Sequence, residues 1–349
     1  MILDAETLAL SPSVELLIGE SEKLELPGRL KTELFASIVE LNTDICDSVG
    51  GAREALLELR RAAARIAQEN GLRIAAAGSH PFSDPEQQQI AADPRYKEFV
   101  GFAGVSARRQ GVSGLHVHVG VPTADACYVT LEAILPWLPL VLALSANSPF
   151  LAGRATGLAS NRAEVLAQLP RAGAPPAFGS YRAWEGFVER LIGLGLADDY
   201  TRFWWDVRPL PGFGTLEIRM PDQPTGLEMS AALVALLRAL CATVSTDASW
   251  PADRGDFAQN RWSALRFGAA AELIHPDGGS VRGVPELTEE LFELIRPAAE
   301  ELGGLELFEA VDPSRCEADE QLAVGRSDGL EALCTDLVER TRRFSLSSP

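Results

Sequence analysis

Features of secreted and disulfide-bonded proteins are scarce in this sequence. It contains five cysteines at scattered positions and no CxxC pair. An odd number of scattered cysteines is typical of reduced thiols, so no disulfide framework is predicted. The first ten residues, MILDAETLAL, lack a basic segment followed by an apolar run, so no secretion signal is predicted either. We therefore expect a cytoplasmic protein.

Long hydrophobic runs and excess positive charge are absent as well. The longest apolar stretch, about residues 133–146, contains two prolines and falls short of the roughly 20 residues that cross a bilayer. Lysines and arginines number 31 against 49 aspartates and glutamates, which gives a net charge of -18. Nucleic-acid binding needs cations that replace the counterions of the phosphates. The sequence thus argues against membrane and nucleic-acid partners, although a local basic pocket is compatible with it.

The composition instead favours a large folded core. The chain has 349 residues, of which 46% are hydrophobic, and a chain of that length can bury an extensive apolar interior. No internal repeat, low-complexity tail or linker interrupts it. We predict an α+β fold in a single domain, residues 1–349, with a mainly helical carboxy-terminal part from about 257 to 349.

Two segments alternate between apolar and chemically active side chains. In Thr215–Met220 the period of two places Glu217 and Arg219 on the face opposite the apolar residues. In GLHVHVG, residues 114–120, it does the same for His116 and His118. If both strands belong to one sheet, two histidines share a face with a carboxylate and a guanidinium. That face is the candidate active site.

An acidic stripe is expected on an early helix. Residues 30–46 carry apolar side chains at three-to-four spacing, which predicts an amphipathic helix. Glu33, Ser37, Glu40 and Asp44 line its opposite side. This stripe is either a solvated face or, if a cation lies against it, part of a metal site.

A loop of unusual composition spans residues 145–162, SANSPFLAGRATGLASNR. Backbone N–H groups and the guanidinium groups of Arg154 and Arg162 could bind a phosphate or carboxylate there. The loop does not match the GxxxxGK[ST] phosphate-binding pattern, so an ordinary long loop is the alternative.

The candidate ligands favour a hard divalent cation. Carboxylates with one imidazole suit Mg²⁺ or Mn²⁺ better than structural zinc. The HxH pair would also suit a zinc hydrolase of the barrel type, but that site needs more histidines than His80 and His275 supply. His80 precedes a proline in a loop and could mark the rim of the site or a structural turn, and His275 is expected on an exposed edge.

Several motifs together resemble the carboxylate-amine ligases of the glutamate-cysteine ligase type 2 family. The resemblance extends from about Ile2 to beyond Leu273. The motifs that carry it are GLHVHVG (114–120), SANSPF..GR.TG..S.R (145–162), WWDVRP.P.FGTLEIRMPDQPT (204–225), NRW (260–262) with RFG (266–268), and GSHPF (78–82).

The resemblance implies a glutamine synthetase-like catalytic fold, in which a curved antiparallel sheet has helices packed on one face. It implies ATP- and Mg²⁺-dependent ligation, in which a side-chain carboxylate of glutamate is phosphorylated and an amine such as cysteine displaces the phosphate from the acyl phosphate. Its partners would be these small molecules, and the protein a possible homodimer.

The same resemblance suggests roles for individual residues. The implied metal ligands are Glu33, Glu40, His116 and Glu217. The implied catalytic residues are Arg219, His118 and Arg162. Arg219 would contact the transferring phosphoryl group, and His118 would hydrogen-bond substrate or nucleotide. The implied nucleotide- or substrate-binding residues are Arg154, Arg162, Arg219, Asn260 and Arg266, with packing or surface roles equally open for Asn260 and Arg266.

One feature of the family is absent. Its members carry a glutamate-rich strand of GxEEEF-like pattern just before the segment that Met1–Asp4 continues, and those glutamates do not occur here. We expect a shortened first strand. One expectation is that the true start of the protein lies upstream of Met1. The alternative is that this member is catalytically weakened and acts as a nucleotide- or amino-acid-binding protein.

Overall fold

The computed structural model describes residues 1–244 and 252–343. Its strands are short, and all the pairs that they form are antiparallel. Within the described residues the strands are β1 (Ile2–Asp4), β2 (Gly28–Thr32), β3 (Val39–Thr43), β4 (Leu72–Ile74), β5 (Val117–Gly120), β6 (Phe150–Leu151), β7 (Arg154–Ala155), β8 (Val207–Leu210), β9 (Thr215–Ile218), β10 (Glu272–Ile274) and β11 (Val281–Gly283).

Helices make up most of the remaining ordered structure. Within the described residues they are α1 (Val14–Ser21), α2 (Val49–Glu69), α3 (Pro94–Ala103), α4 (Val105–Arg108), α5 (Ala124–Ile134), α6 (Leu138–Ser145), α7 (Asn161–Leu166), α8 (Tyr181–Gly193), α9 (Leu227–Val244), α10 (Arg254–Phe267), α11 (Val284–Leu302), α12 (Glu317–Ser327) and α13 (Leu330–Thr341). The described part of the carboxy-terminal region, residues 257–343, consists mainly of helices, and residues 344–349 lie outside the described part.

A three-stranded sheet in the order β5-β9-β8 forms the centre of the fold. β9 pairs with both neighbours, and Glu217 lies opposite His118 on one side and Arg208 on the other. The sequence prediction that the histidine strand and the Glu217 strand share a sheet is confirmed. The other strand pairs, β1-β4, β2-β3, β6-β7 and β10-β11, are separate two-stranded units.

The apolar face of the central sheet lies in the main hydrophobic core. Val117, Leu216 and Ile218 are at most 6% exposed and belong to one cluster with residues of α9 such as Leu236. Packing α9 there removes the apolar faces of sheet and helix from water together, which is the dominant stabilising term in folding. α9 extends to Val244, and Ser245 lies outside the described residues.

The predicted helix at residues 30–46 is wrong. The segment forms the hairpin β2-β3, in which Lys31 pairs with Glu40. Leu30, Val39 and Leu41 pack toward α1 and α2, so alternate strand positions fill the core. Apolar residues at three-to-four spacing can also satisfy a period of two over a short stretch, and the tertiary packing decides between them.

Two helical stretches are apolar and long enough to cross a membrane by composition alone, residues 124–145 and 227–244. In this fold 83% of the first and 67% of the second window is buried against other elements. A short 3-10 turn at Leu135–Trp137 divides the first stretch into α5 and α6, as Pro136 and Pro139 predicted. Both stretches are accounted for as core helices.

Candidate active site

The charged face of the central sheet carries a row of three side chains from three strands. His118 of β5, Glu217 of β9 and Arg208 of β8 are register partners. Side chains two residues along a strand share its face, so His116 and Arg219 extend the row. The opposite residues are core, and this division is what the alternating sequence pattern predicted.

Glu217 is the electrostatic centre of the face. Its side chain is 4% exposed, and its two carboxylate oxygens accept from Arg208 Nε at 2.5 Å and from Arg219 Nη1 at 2.6 Å. Burial alone would raise the pKa of Glu217, but the cations Arg219 and Arg208 hold it well below its ordinary value. The carboxylate is therefore ionised at every pH at which the protein would function.

The two histidines beside Glu217 are neutral at pH 7. His116 Nδ1 and His118 Nε2 each lie 3.9 Å from Glu217 Oε1. Burial, reinforced by the cation Arg219, lowers the pKa of His116 well below its usual value, and burial also lowers that of His118. A neutral imidazole can accept a hydrogen bond or ligate a metal, whereas an imidazolium can do neither.

The β2-β3 hairpin brings two further carboxylates toward this face. Burial, then the nearby charge of Glu33, raises the pKa of Glu40 to about 7, and the charges of Arg219 and Glu217 also act on it. The Glu33 carboxylate accepts from the Leu34 N–H at 2.6 Å. The hairpin thus replaces the predicted helix as the element that carries Glu33 and Glu40, while both remain close to the candidate site.

These residues fit a divalent cation only in part. Burial and the charge of Glu33 raise the pKa of Glu40 to about 7. A cation between Glu33 and Glu40 would stabilise the ionised form of both carboxylates. Glu217, in contrast, already has both oxygens bound by arginines. Within residues 1–244 and 252–343, no group of three or more His, Cys, Asp or Glu is arranged to hold a metal ion. The four predicted ligands therefore stay a prediction, with the Glu33–Glu40 pair as its better-supported half.

Arg162 lies in a different environment from the one that its loop composition suggested. Its side chain is 2% exposed, and it donates to the carbonyl oxygens of Arg219 at 2.8 Å and Met220 at 3.1 Å. The guanidinium is thus enclosed behind the site strand and bound to its backbone. The predicted contact of Arg162 with a ligand stays a prediction.

The other predicted binding residues lie outside the row. Asn260 clamps the backbone of β10, donating to Ile274 O and accepting from Ile274 N, both at 2.7 Å. Arg266 donates to Gly157 O and lies over the ring of Phe267. Arg154 is exposed on β7. Asn260 thus makes a packing contact, and a nucleotide or substrate role for Asn260, Arg154 and Arg266 stays a prediction.

The remaining histidines have structural roles. His80 is 3% exposed. Its Nε2 lies 2.9 Å from Leu8 O and its Nδ1 accepts from the N–H groups of Phe82 and Ser83, which makes it a turn residue. His275 contacts the carboxylates of Asp277 and Glu290 at 2.9 Å each, so its ring is held between them and is not on the free edge that was predicted.

Several residues of the site were not singled out in the sequence. Arg208 lies in the WWDVRP run, and its signal was the same period of two that revealed Glu217. Tyr96 of α3 donates to Thr32 O at 2.9 Å, and burial together with Glu33 raises its pKa to about 12. No local pattern marks a tyrosine that meets the hairpin through tertiary packing.

Comparison with known proteins agrees with this fold. The structure of glutamate–cysteine ligase from Francisella tularensis in complex with AMP superposes with a TM-score of 0.71 at 14% identity, covering 99% of this chain and 87% of that one. The fold is therefore the glutamine synthetase-like fold of a glutamate–cysteine ligase, and the α+β prediction is confirmed.

Sequence comparison is more specific. The model of glutamate-cysteine ligase family 2 matches residues 3–332. A Rubrobacter xylanophilus protein provisionally named glutamate–cysteine ligase 2-3 is 40% identical over 97% of this chain and 94% of its own length. A Sorangium cellulosum protein provisionally named glutamate–cysteine ligase 2 is 37% identical over 97% and 93%. The chain belongs to glutamate-cysteine ligase family 2.

Proposed function

We propose that this protein is an ATP- and Mg²⁺-dependent ligase that joins the γ-carboxylate of glutamate to an amine such as cysteine through an acyl phosphate. The observation that carries the proposal is the row His118–Glu217–Arg208 with Arg219 beside it, in a chain of the glutamate–cysteine ligase family. The row joins an ionised carboxylate, neutral imidazoles and guanidinium groups, the equipment for handling phosphates and carboxylates.

The two arginines that contact Glu217 differ in exposure, and we assign them different roles. Arg208 is 8% exposed and also donates to the carbonyl oxygens of Thr201 and Phe203, so it is held in place and keeps Glu217 ionised. Arg219 is 16% exposed and can reach a ligand over the sheet. A planar guanidinium there stabilises the charge that develops on a transferring phosphoryl group.

Mg²⁺ would reduce the repulsion between the triphosphate and the substrate carboxylate. Glu33 and Glu40 are the residues that would hold it, because a cation there would offset the burial and the Glu33 charge that together raise the pKa of Glu40. His116 would add an imidazole ligand, and His118, whose Nδ1 lies 3.2 Å from Thr215 Oγ1, would present Nε2 to substrate or nucleotide.

ADP release measures the proposed reaction directly. The protein is mixed with ATP, Mg²⁺, glutamate and each of a panel of amines that includes cysteine. We expect ADP and an amide product that require all of glutamate, amine and Mg²⁺. Arg219→Lys should lower kcat by roughly 100-fold or more, as removal of one charge-stabilising donor does elsewhere. Absence of ADP release with every amine would contradict the proposal.

The second candidate is a binding protein without turnover. It is favoured by Glu217, whose oxygens are both occupied by arginines, and by the absence of a three-ligand metal cluster among the described residues. Calorimetry separates the two candidates: nucleotide binding with no ADP formed would select this one.

A further inference from the structure

The site strand contains a one-residue bulge at Arg219. β5 and β9 are in register up to the pair Val117–Ile218. The next bridge joins Gly114 to Asp222. Two residues, 115 and 116, therefore lie opposite three, 219 to 221, which is the arrangement of a β-bulge. Such a bulge re-aims a side chain, and the residue that begins this one is Arg219.

Arg162 fills the space that the bulge opens. Its guanidinium donates to the carbonyl oxygens of Arg219 and Met220, which both lie within the bulge. It lies against the backbone of Gly114, where a Cβ would come within 2.0 Å of Arg162 Nη2. Gly114, which pairs with Asp222 at the end of the bulge, must therefore be glycine, because any side chain there would displace the guanidinium.

Asp222 anchors the guanidinium from behind. It is 0% exposed and accepts from Ser148 Oγ at 2.6 Å, Ser160 Oγ at 2.8 Å and Asn147 N at 2.9 Å. Asp222 Oδ1 lies 3.7 Å from Arg162 Nη1. Ser160 is also the N-cap of α7, the helix that carries Arg162. The loop of unusual composition is thus built around a buried ion pair.

The other edge of the bulge is fixed by a second arginine. Arg219 N–H donates to Asp206 O at 2.8 Å, and the Asp206 carboxylate accepts from Arg261 Nε at 2.8 Å. Arg261 in turn donates to Ala163 O, one residue after Arg162. The backbone of Arg219 is held through its carbonyl on one side and its N–H on the other.

We infer that Arg162 is a positioning residue: by clamping the bulge it aims the guanidinium of Arg219 at Glu217 and at the ligand above it. The catalytic part of this inference rests on the proposed ligase function. The clamp itself is independent of that function, because it consists of hydrogen bonds within the chain.

Arg162→Lys tests the inference, since lysine keeps the positive charge opposite Asp222 and loses the planar fork that reaches two carbonyl groups. We expect kcat to fall about 10- to 100-fold, because displacement of a reacting group by about 1 Å can cost that much. The KM values for ATP and glutamate should change by less than about threefold, as for an interaction made in the transition state.

A double-mutant cycle distinguishes positioning from general destabilisation. In the Arg219→Lys background, adding Arg162→Lys should lower kcat by less than about threefold, because the group that it aims has already been changed. A full additional loss, or an unchanged kcat in the single variant, would overturn the inference. Arg254→Lys is the matched control: this arginine also forks onto a carboxylate and a carbonyl, those of Glu132 and Pro175, and its replacement should leave kcat unchanged.

Hydrogen exchange provides a readout that does not depend on turnover. In Arg162→Lys the amides of Arg219 and Leu115, which donate to Asp206 O and Pro221 O, should exchange at least about tenfold faster, while those of α9 should not change. Unchanged exchange would refute the clamp even if the wild-type protein released no ADP. If Arg162→Lys does not fold, Asp222→Asn removes the anchoring charge and one of the two acceptor oxygens and should cause a change of the same sign in both measurements.

Discussion

Arg208→Met should destabilise the protein strongly because it removes a cationic partner from the buried carboxylate of Glu217. Glu217 is 4% and Arg208 8% exposed, and the pair is 2.5 Å apart. Removing one partner of a buried ion pair costs about 3–5 kcal/mol, since the remaining charge stays desolvated. Here Arg219 still contacts Glu217 at 2.6 Å, which places the expected loss at the lower end, about 3 kcal/mol.

The assay is the free energy of unfolding at pH 7 from urea denaturation, measured in a cycle with Glu217→Gln. Adding Arg208→Met to Glu217→Gln should cost about 1–2 kcal/mol less than adding it to the wild type, because the stranded charge is gone. The remaining cost reflects the carbonyl oxygens of Thr201 and Phe203, which lose their donor in both backgrounds.

The pH dependence of this cycle has a definite sign. The folded pKa of Glu217 lies well below its ordinary value, so its contribution to stability is present above the unfolded pKa of about 4.3 and is lost as the pH falls through the folded pKa. The difference between the two backgrounds should therefore shrink on acidification below about pH 4. A loss under about 1 kcal/mol at pH 7, or equal losses in the two backgrounds, would refute the role assigned to Arg208.

Three further predictions concern the rest of the chain. Leu236 of α9 is 0% exposed in the main core, so Leu236→Ala should lower the free energy of unfolding, measured by urea denaturation, by about 2–5 kcal/mol. Leu294 is 38% exposed, so Leu294→Ala should change it by less than about 1 kcal/mol. Burial lowers the pKa of His80 to about 4, so between about pH 6.5 and 4 only the unfolded protein binds a proton at this histidine. The free energy of unfolding of the wild type should therefore fall by about 3 kcal/mol more than that of His80→Gln over this range. Parallel pH profiles of the two proteins would contradict this. Burial raises the pKa of Cys127, Cys241, Cys316 and Cys334 to about 12. Iodoacetamide should therefore modify only Cys46 in the native protein and all five cysteines in urea, as counted by mass spectrometry. A second rapidly modified thiol in the native protein would disprove the assignment.

The candidate site was predictable where its signal was local. Alternation in residues 114–120 and 215–220 placed His116, His118, Glu217 and Arg219 on one face, because a period of two follows from backbone geometry alone. The same alternation extends to Arg208, which could have been found by applying it to residues 206–210.

The remainder depended on contacts between distant parts of the chain. Residues 30–46 satisfy a helical spacing, and the hairpin is decided by packing against α1 and α2. The burial of Arg162 depends on Asp222, which is 60 positions further along (222 − 162). Neither fact is encoded in a local pattern, since both arise only when separate elements share one interior.

The pairing of His118 with Glu217 joins strands 99 positions apart (217 − 118), with α5, α6 and α8 in the intervening chain. Closing so long a loop is entropically costly, and contacts of this separation slow the search for the native state. Helical circular dichroism should therefore recover before tryptophan fluorescence of Trp204 and Trp205 during renaturation, and catalytic competence should be regained last of all.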